Sequence, residues 1–235
     1  MASKNTNRAE MLTTERGVFI YPHLLKADDK FGEPQYKTGL LVDRAYADKL
    51  EKQIEEQDIP AFIEKETGFI NRKREAGDFT AVQAKKKLAV LEKFANLPFE
   101  EQLDETTGEP TGKVKINFKI KAEGISRKTG RPYSNKPKMF DAQGKPCSIE
   151  PYTGAQGKVT FIISLYASDT LGVCVTLKPR AVQIIELAGG RGERGAATYG
   201  FGAEDGSFDA DAMSKHEDPG AVDADSSGDA ESDLL

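Results

Sequence analysis

Residues 113–121 read Lys-Val-Lys-Ile-Asn-Phe-Lys-Ile-Lys, with Val114, Ile116, Phe118 and Ile120 alternating against Lys113, Lys115, Asn117, Lys119 and Lys121. A period of two is the signature of a half-buried strand, one face on a core and the other in water. Such a run cannot present one apolar stripe as a helix, so the fold must contain a sheet that buries this face. Same-face residues on a strand lie roughly 6.6 Å apart, from a rise of about 3.3 Å per residue, close to the phosphate spacing of an extended nucleic-acid strand. The lysine row reads either as a solvated strand face or as one wall of a groove for a polyanion.

The flanking segments extend the β reading. Residues 17–25 (GVFIYPHLL) form a strand pattern in which Phe19, Tyr21 and His23 share a face. Residues 26–34 form a turn cluster, and residues 36–43 (YKTGLLVD) read as a second strand, completing a hairpin. Residues 138–141 suggest a short strand. In residues 157–166, Val159, Phe161, Ile163 and Leu165 take the core face and Lys158, Thr160, Ser164 and Tyr166 the other. Residues 172–178 and 181–187 read as two last strands. Between the first hairpin and the lysine strand the period changes. Tyr46, Ala47, Leu50 and Ile54 have helical spacing, and residues 60–65 could begin a further turn of helix. Residues 80–96 predict a helix capped by Thr80, with Val82, Leu88, Leu91 and Phe94 buried.

The order is two strands, a helical block, then four or five strands. It lacks the regular alternation of a parallel α/β sheet and fits a small Greek-key barrel. The expected fold is therefore mainly β: a five-stranded OB-fold Greek-key barrel with a helical insertion and a disordered acidic C-terminal tail. The expected organisation is a flexible N-terminus (1–16), the barrel domain (17–188, insertion about 45–103), a Gly/Arg linker (189–202) and the acidic tail (203–235).

Charge divides the chain in the same way. The net charge of −5 combines −10 in residues 203–235, from eleven acidic residues and one lysine, with +5 in the remaining 202 residues. Residues 113–180 alone carry +9, whereas residues 46–105 hold fourteen acidic and ten basic side chains. A basic module followed by an acidic tail points to an anionic partner. A tethered acidic segment acts at an effective concentration in the ~mM range for short flexible linkers, so it would compete with nucleic acid and become available to partner proteins when displaced. No stretch approaches the roughly 18 apolar residues of a membrane span. The N-terminal residues contain no apolar signal core. Cys147 and Cys174 stand apart, with no CxxC or Cys/His cluster around them. The expectation is a cytosolic protein without cofactor or metal.

Single-strand binders join a cationic groove to aromatic rings on which bases stack. The candidate nucleic-acid contacts are Tyr166, Tyr133, Tyr36 and Tyr21, with Lys37, Lys115, Lys119, Lys121, Arg127, Lys128, Arg131 and Lys158. Tyr166 is placed best, because its strand register sets it opposite the apolar row. Phe19 shares the pattern of Tyr21, and for both of them core packing is at least as good an explanation. The tail end, with Asp229, Glu231, Asp233, Leu234 and Leu235, offers charge and an apolar tip to a partner's pocket.

Three motifs carry less. Gly190 to Gly195 match G-x-G-x-x-G, but no helical pattern follows, as a dinucleotide site requires. Asp223 to Asp229 imitate the start of a calcium loop, but Leu234 occupies the place of the closing glutamate. Asp28 and Asp29 could hold magnesium in a nuclease, although paired acidic residues in turns are usually solvated. With His23 and His216 as the only histidines and no GxSxG, HExxH or Walker motif, the chain does not read as an enzyme.

The sequence resembles the phage single-stranded DNA-binding proteins built on one OB-fold with an acidic C-terminal tail, known from short-tailed T-odd phages and other tailed phages. The matching residues are Tyr21-Pro22-His23-Leu24, Phe31-Gly32-Glu33-Pro34 with Tyr36-Lys37, and Phe140-Asp141-Ala142-Gln143-Gly144-Lys145. Further along they are Gly157-Lys158-Val159, Gly172-Val173 and residues 181–187 (AVQIIEL). The resemblance implies sequence-independent binding of single-stranded DNA in phage replication, recombination and repair, in the cytoplasm of an infected bacterial host. It also implies a homodimer, tail contacts with polymerase and helicase, and stacking of DNA on Tyr166. The chain departs from the pattern at Ala167 and Ser168, where a second aromatic is expected, and at its Leu-Leu end, where an aromatic is typical. The competing readings are a protein-interaction adaptor with a structural barrel and a metal-dependent nuclease.

Overall fold

A computed structural model describes residues 10–188 apart from Phe31, Arg127 and Lys128. The strands are β1 (Leu12–Thr13), β2 (Gly17–Asp28), β3 (Gln35–Asp43), β4 (Phe99–Leu103), β5 (Pro110–Lys121), β6 (Glu123–Ile125), β7 (Pro132–Ser134), β8 (Lys138–Phe140), β9 (Gln156–Ser168) and β10 (Gly172–Glu186). Helices α1 (Arg44–Gln53), α2 (Ile59–Glu75) and α3 (Ala81–Val90) fall between β3 and β4, and a π-helical turn, Ile54–Asp58, joins the first two.

Five long strands close a barrel. β2 pairs antiparallel with β3, and β3 with β5 through nine consecutive positions from Gln35–Lys121 to Asp43–Lys113. β5 meets β10 in parallel at Phe118–Leu177, β10 pairs antiparallel with β9, and β9 returns to β2 at Gly17–Gly157. Numbered within the barrel the order is 1-2-3-5-4-1, with a parallel contact between the third and fifth strands. This is the Greek-key closure of the OB-fold.

The lysine strand behaves as its alternation predicts. Val114, Ile116, Phe118 and Ile120 are buried, and the first three join Phe19, Leu24, Leu40, Val42, Val159, Phe161, Leu177 and Val182 inside the barrel. Phe118 and Phe161 meet edge to face at 5.1 Å in the centre, the geometry that aromatic quadrupoles favour. Ala47, Leu50 and Ile54 lay α1 and the π turn against this core. A second cluster, Ile70, Ala84, Leu91 and Val173, with Leu88 and Leu165 against it, fastens α2 and α3 to the β9–β10 tip.

Several expectations need correction. Phe19 and Tyr21 do not share a face: Phe19 is fully buried and Tyr21 is 74% exposed. Tyr21 has φ 46°, and the β2–β3 register shifts between Ile20 and His23, so the chain bulges there and the alternation resets. β2 also runs on through residues 26–28, which had read as turn. Gly172–Glu186 form one strand rather than two, because Pro179 sits at a bulge between Pro179 and Ala181, where a missing N–H is tolerated. Residues 12–16 are not free: Leu12 and Thr13 pair with β9, Thr14 Oγ1 accepts from the Val159 N–H at 3.0 Å, and Arg16 meets Glu186 at 2.6 Å.

In α3, Thr80 caps as expected, with Gln83 completing a reciprocal capping box. The helix ends at Val90, however, which leaves Phe94 outside it (57% exposed), and Val82 in its first turn is 79% exposed; the buried face is that of Ala84, Leu88 and Leu91. These three follow the i, i+4, i+7 stripe that faces α2. Residues 99–103, placed in the helical block, are strand β4, which pairs with β5. Residues 123–134 form the β6–β7 hairpin, whose three-residue strands are too short to show a period.

Candidate nucleic-acid interface

The outer face of the barrel is built by register. Ile20 lies opposite Gly39, and Gly39 opposite Asn117; His23 lies opposite Lys37, and Lys37 opposite Lys119. Beyond the Phe118–Leu177 contact, the next outward residues are Lys119 and Lys178, and Lys178 faces Ile162 on β9. Cys174 and Tyr166 are likewise paired across β10 and β9. A shallow cleft of about 460 Å³ follows this face, lined by Tyr21, Lys37, Gly39, Glu100, Lys115, Asn117, Lys119 and Thr176 among others. Gly39 sits at a close approach: a Cβ there would lie 3.0 Å from the Lys115 stem and 3.2 Å from Ile20 Cβ, so those neighbours would have to shift.

Most of the lysine row is already neutralised. Lys113 meets Asp43 at 3.1 Å, Lys115 meets Glu100 at 2.5 Å and Lys121 meets Glu33 at 2.7 Å. Lys37 meets Asp28 at 2.5 Å. Glu100 also accepts from the Asn117 side-chain amide at 2.6 Å, so one β4 carboxylate holds two groups of the face. Its hydrogen bond from Lys115 holds Glu100 below the ordinary carboxylate range, as Lys37 holds Asp28. The hydrogen bond to Glu33 raises Lys121. Among the described residues, Lys119 is the one lysine of the row with no carboxylate within 4 Å. Lys178 is pushed down, first by burial and then by the charge of Arg180.

The aromatic candidates separate. Tyr166 is half exposed at the β9 end of the face, and burial followed by its contact with Cys174 raises its phenol. Tyr21 stands free above the opposite edge, its N–H bonded to Thr153 Oγ1 at 2.9 Å. Tyr133 lies beyond Lys121 on β7, where its ring covers Gly124 so closely that a Cβ would sit 2.6 Å from the hydroxyl. Tyr36 is opposite Ile120, which faces the core, so Tyr36 stands on the other side of the sheet from the lysines. The two-residue period of β3 puts Lys37, not Tyr36, on the outer face. Arg131 is exposed next to β7, and Lys158 is carried to a different cleft beside β8.

Arg127 and Lys128 lie outside the described residues. So do the Gly190–Gly195 motif, the Asp223–Asp229 run and the tail residues Asp229, Glu231, Asp233, Leu234 and Leu235. Asp28 is held by Lys37 and by the Lys30 N–H at 3.2 Å. Among the described residues no three His, Cys, Asp or Glu side chains gather as a metal site. No helix among them is long and apolar enough to cross a membrane.

The sequence reading missed Thr176 as part of the face, and Lys178 and Arg180 beside it. The last two flank Pro179, whose bulge breaks the alternation that would have assigned them.

The closed 1-2-3-5-4-1 barrel, with a polar outer face on its second and third strands, is the OB-fold arrangement that receives oligonucleotides or oligosaccharides. Among solved structures the chain is similar to gp2.5, a single-stranded DNA-binding protein encoded by bacteriophage T7. The TM-score is 0.51 at 19% identity, over 92% of this chain and 100% of that one. The chain thus has the fold of a phage single-stranded DNA-binding protein. A single-stranded DNA-binding protein from bacteriophage Enc34, solved in complex with single-stranded DNA, aligns with a TM-score of 0.45 at 16% identity, over 75% of this chain and 86% of that one. No family model and no curated protein matches the sequence.

Proposed function

We propose that this protein binds single-stranded DNA without sequence preference and without catalysis. The observation that carries the reading is the outer face of β3, β5, β10 and β9, where Lys37, Lys119 and Lys178 form a cross-strand row between the exposed rings of Tyr21 and Tyr166. Phosphates would take the ammonium groups, and bases would stack on the rings. Such contacts give affinity with little sequence information. The family resemblance extends the reading to phage replication, recombination and repair in the host cytoplasm, to a homodimer, and to tail contacts with polymerase and helicase.

Fluorescence titration with oligo-dT and with duplex, at two salt concentrations, tests it. Oligo-dT affinity is expected to fall steeply with salt, and Tyr166→Ala is expected to cost about 1–3 kcal/mol of binding per stacked base. Absent or salt-insensitive binding refutes the proposal.

One observation favours the adaptor reading. An apolar groove of about 660 Å³ runs between Ile59, Pro60 and Ile63 of α2 and Phe94 and Leu97 of the following segment. If Lys119→Ala with Tyr166→Ala leaves oligo-dT binding unchanged, that reading replaces the first.

A further inference from the structure

The electrostatics of the outer face raise a question. A phosphate approaching Lys37, Lys115 or Lys121 must compete with Asp28, Glu100 or Glu33, each already within 2.7 Å. Counterion release comes from cations that a phosphate newly neutralises. A lysine that exchanges one anion for another contributes little to it.

Round the barrel from Lys178 the situation reverses. A cleft of about 630 Å³ is lined by Met11, Ser134, Asn135, Lys136, Lys138, Phe140, Thr160, Ile162, Arg180 and Ala181. A second of about 260 Å³ adjoins it, sharing Phe140, Thr160 and Ala181 and adding Lys158. Neither lining includes a carboxylate-bearing residue. Among the described residues, no carboxylate comes within 4 Å of the charged groups of Lys136, Lys138, Arg180 or Lys158. The neighbouring Asp141 is turned into its own turn, where it accepts from the N–H groups of Gln143 at 2.9 Å and Lys145 at 2.8 Å. Phe140 and Ile162 give the cleft an apolar floor. The cleft joins the outer face directly, because Ile162 pairs with Lys178 in the β9–β10 ladder.

We propose that this carboxylate-free cleft, with Lys136, Lys138, Arg180 and Lys158, is a second nucleic-acid subsite and the main electrostatic anchor for a single strand crossing the outer face. The inference rests on the DNA-binding reading and deepens it. The strand passes from the Tyr21–Tyr166 face over Lys119 and Lys178 into the cleft, where its phosphates meet cations that have no internal partner. The outer face then supplies stacking and a few phosphate contacts, and the cleft supplies most of the salt-dependent affinity.

The test compares two full-length variants with the parent in oligo-dT titrations across a range of salt. Lys136→Ala/Lys138→Ala/Arg180→Ala removes three unpartnered cations. The slope of log affinity against log salt should become shallower by about 2, at about 0.7 per phosphate contact on a single strand. The second variant removes neutralised pairs, Lys115→Ala with Glu100→Gln and Lys121→Ala with Glu33→Gln, and should change the slope by less than the first does. An unaltered slope in the first variant, or a larger loss in the second, overturns the proposal. A parent protein that does not bind oligo-dT overturns the DNA-binding reading itself. All three cations of the first variant are exposed, and circular dichroism melting of both variants confirms that the fold is retained.

Discussion

Glu150 is the residue on which the second half of β2 depends. β2 pairs only sparsely with β3 beyond His23, leaving backbone donors without ladder partners. Glu150 Oε1 accepts from the Leu24 N–H at 2.6 Å, and Oε2 from those of Leu25 at 2.6 Å and Lys26 at 2.9 Å. Charge-assisted hydrogen bonds to a carboxylate are worth about 1.5–3 kcal/mol each when a partner is lost. Glu150→Ala is therefore expected to destabilise the fold by about 2–3 kcal/mol, measured by urea denaturation, whereas Glu109→Ala on an exposed turn should change little. Nothing in the sequence around Glu150 announces this role, because it lies more than a hundred residues from the N–H groups it serves. Tyr21 shows the same limit. Its pattern predicts a shared face with Phe19, and only the left-handed backbone at φ 46° turns it outward. A non-glycine residue in that region costs of order 1–3 kcal/mol and is held by its surroundings.

Among the elements, α3 shows what local signals can and cannot specify. Thr80 and Gln83 form their capping box within four residues, and the sequence predicts that start correctly. Thr80→Ala should cost about 1 kcal/mol, seen as a lower melting temperature with DNA binding unchanged, since α3 packs on α2 and the β9–β10 tip rather than on the lysine face. Where the helix ends is a tertiary matter. Residues 94–98 leave it to lie along the barrel, with the Ala95 N–H donating to Val173 and the Asn117 N–H to Pro98, at 3.0 and 2.9 Å. The helical insertion so places α2 and α3 beside Leu165 and Ala167 of β9, and β4 brings Glu100 to Lys115. The acidic side chains of the insertion thereby reach a face that the sequence had treated as purely basic.

For the whole molecule, charge is the property that matters most. Residues 203–235 at −10, tethered to a remainder at +5, are expected to oppose polyanion binding. Deleting residues 203–235 should tighten oligo-dT binding, most strongly at low salt where screening is weakest. Weaker binding in that titration would remove the competitive role proposed for the tail.

The sequence by itself determined the barrel. Alternation, strict in residues 113–121 and broken at Ile162 in residues 157–166, fixes which side chains face the core, since a slip of one residue would turn the apolar row to water. The order of elements then leaves the Greek key as the closure that buries them. Tertiary structure alone decided which cations remain available. A lysine's alternation reveals its face but not its partner, and Asp28, Glu33, Asp43 and Glu100 reach their lysines through pairings made only when the sheet assembles. Lys136, Lys138 and Arg180, scattered over hairpin, edge strand and bulge, share no period. They meet in one cleft only because β8 docks in parallel along β10.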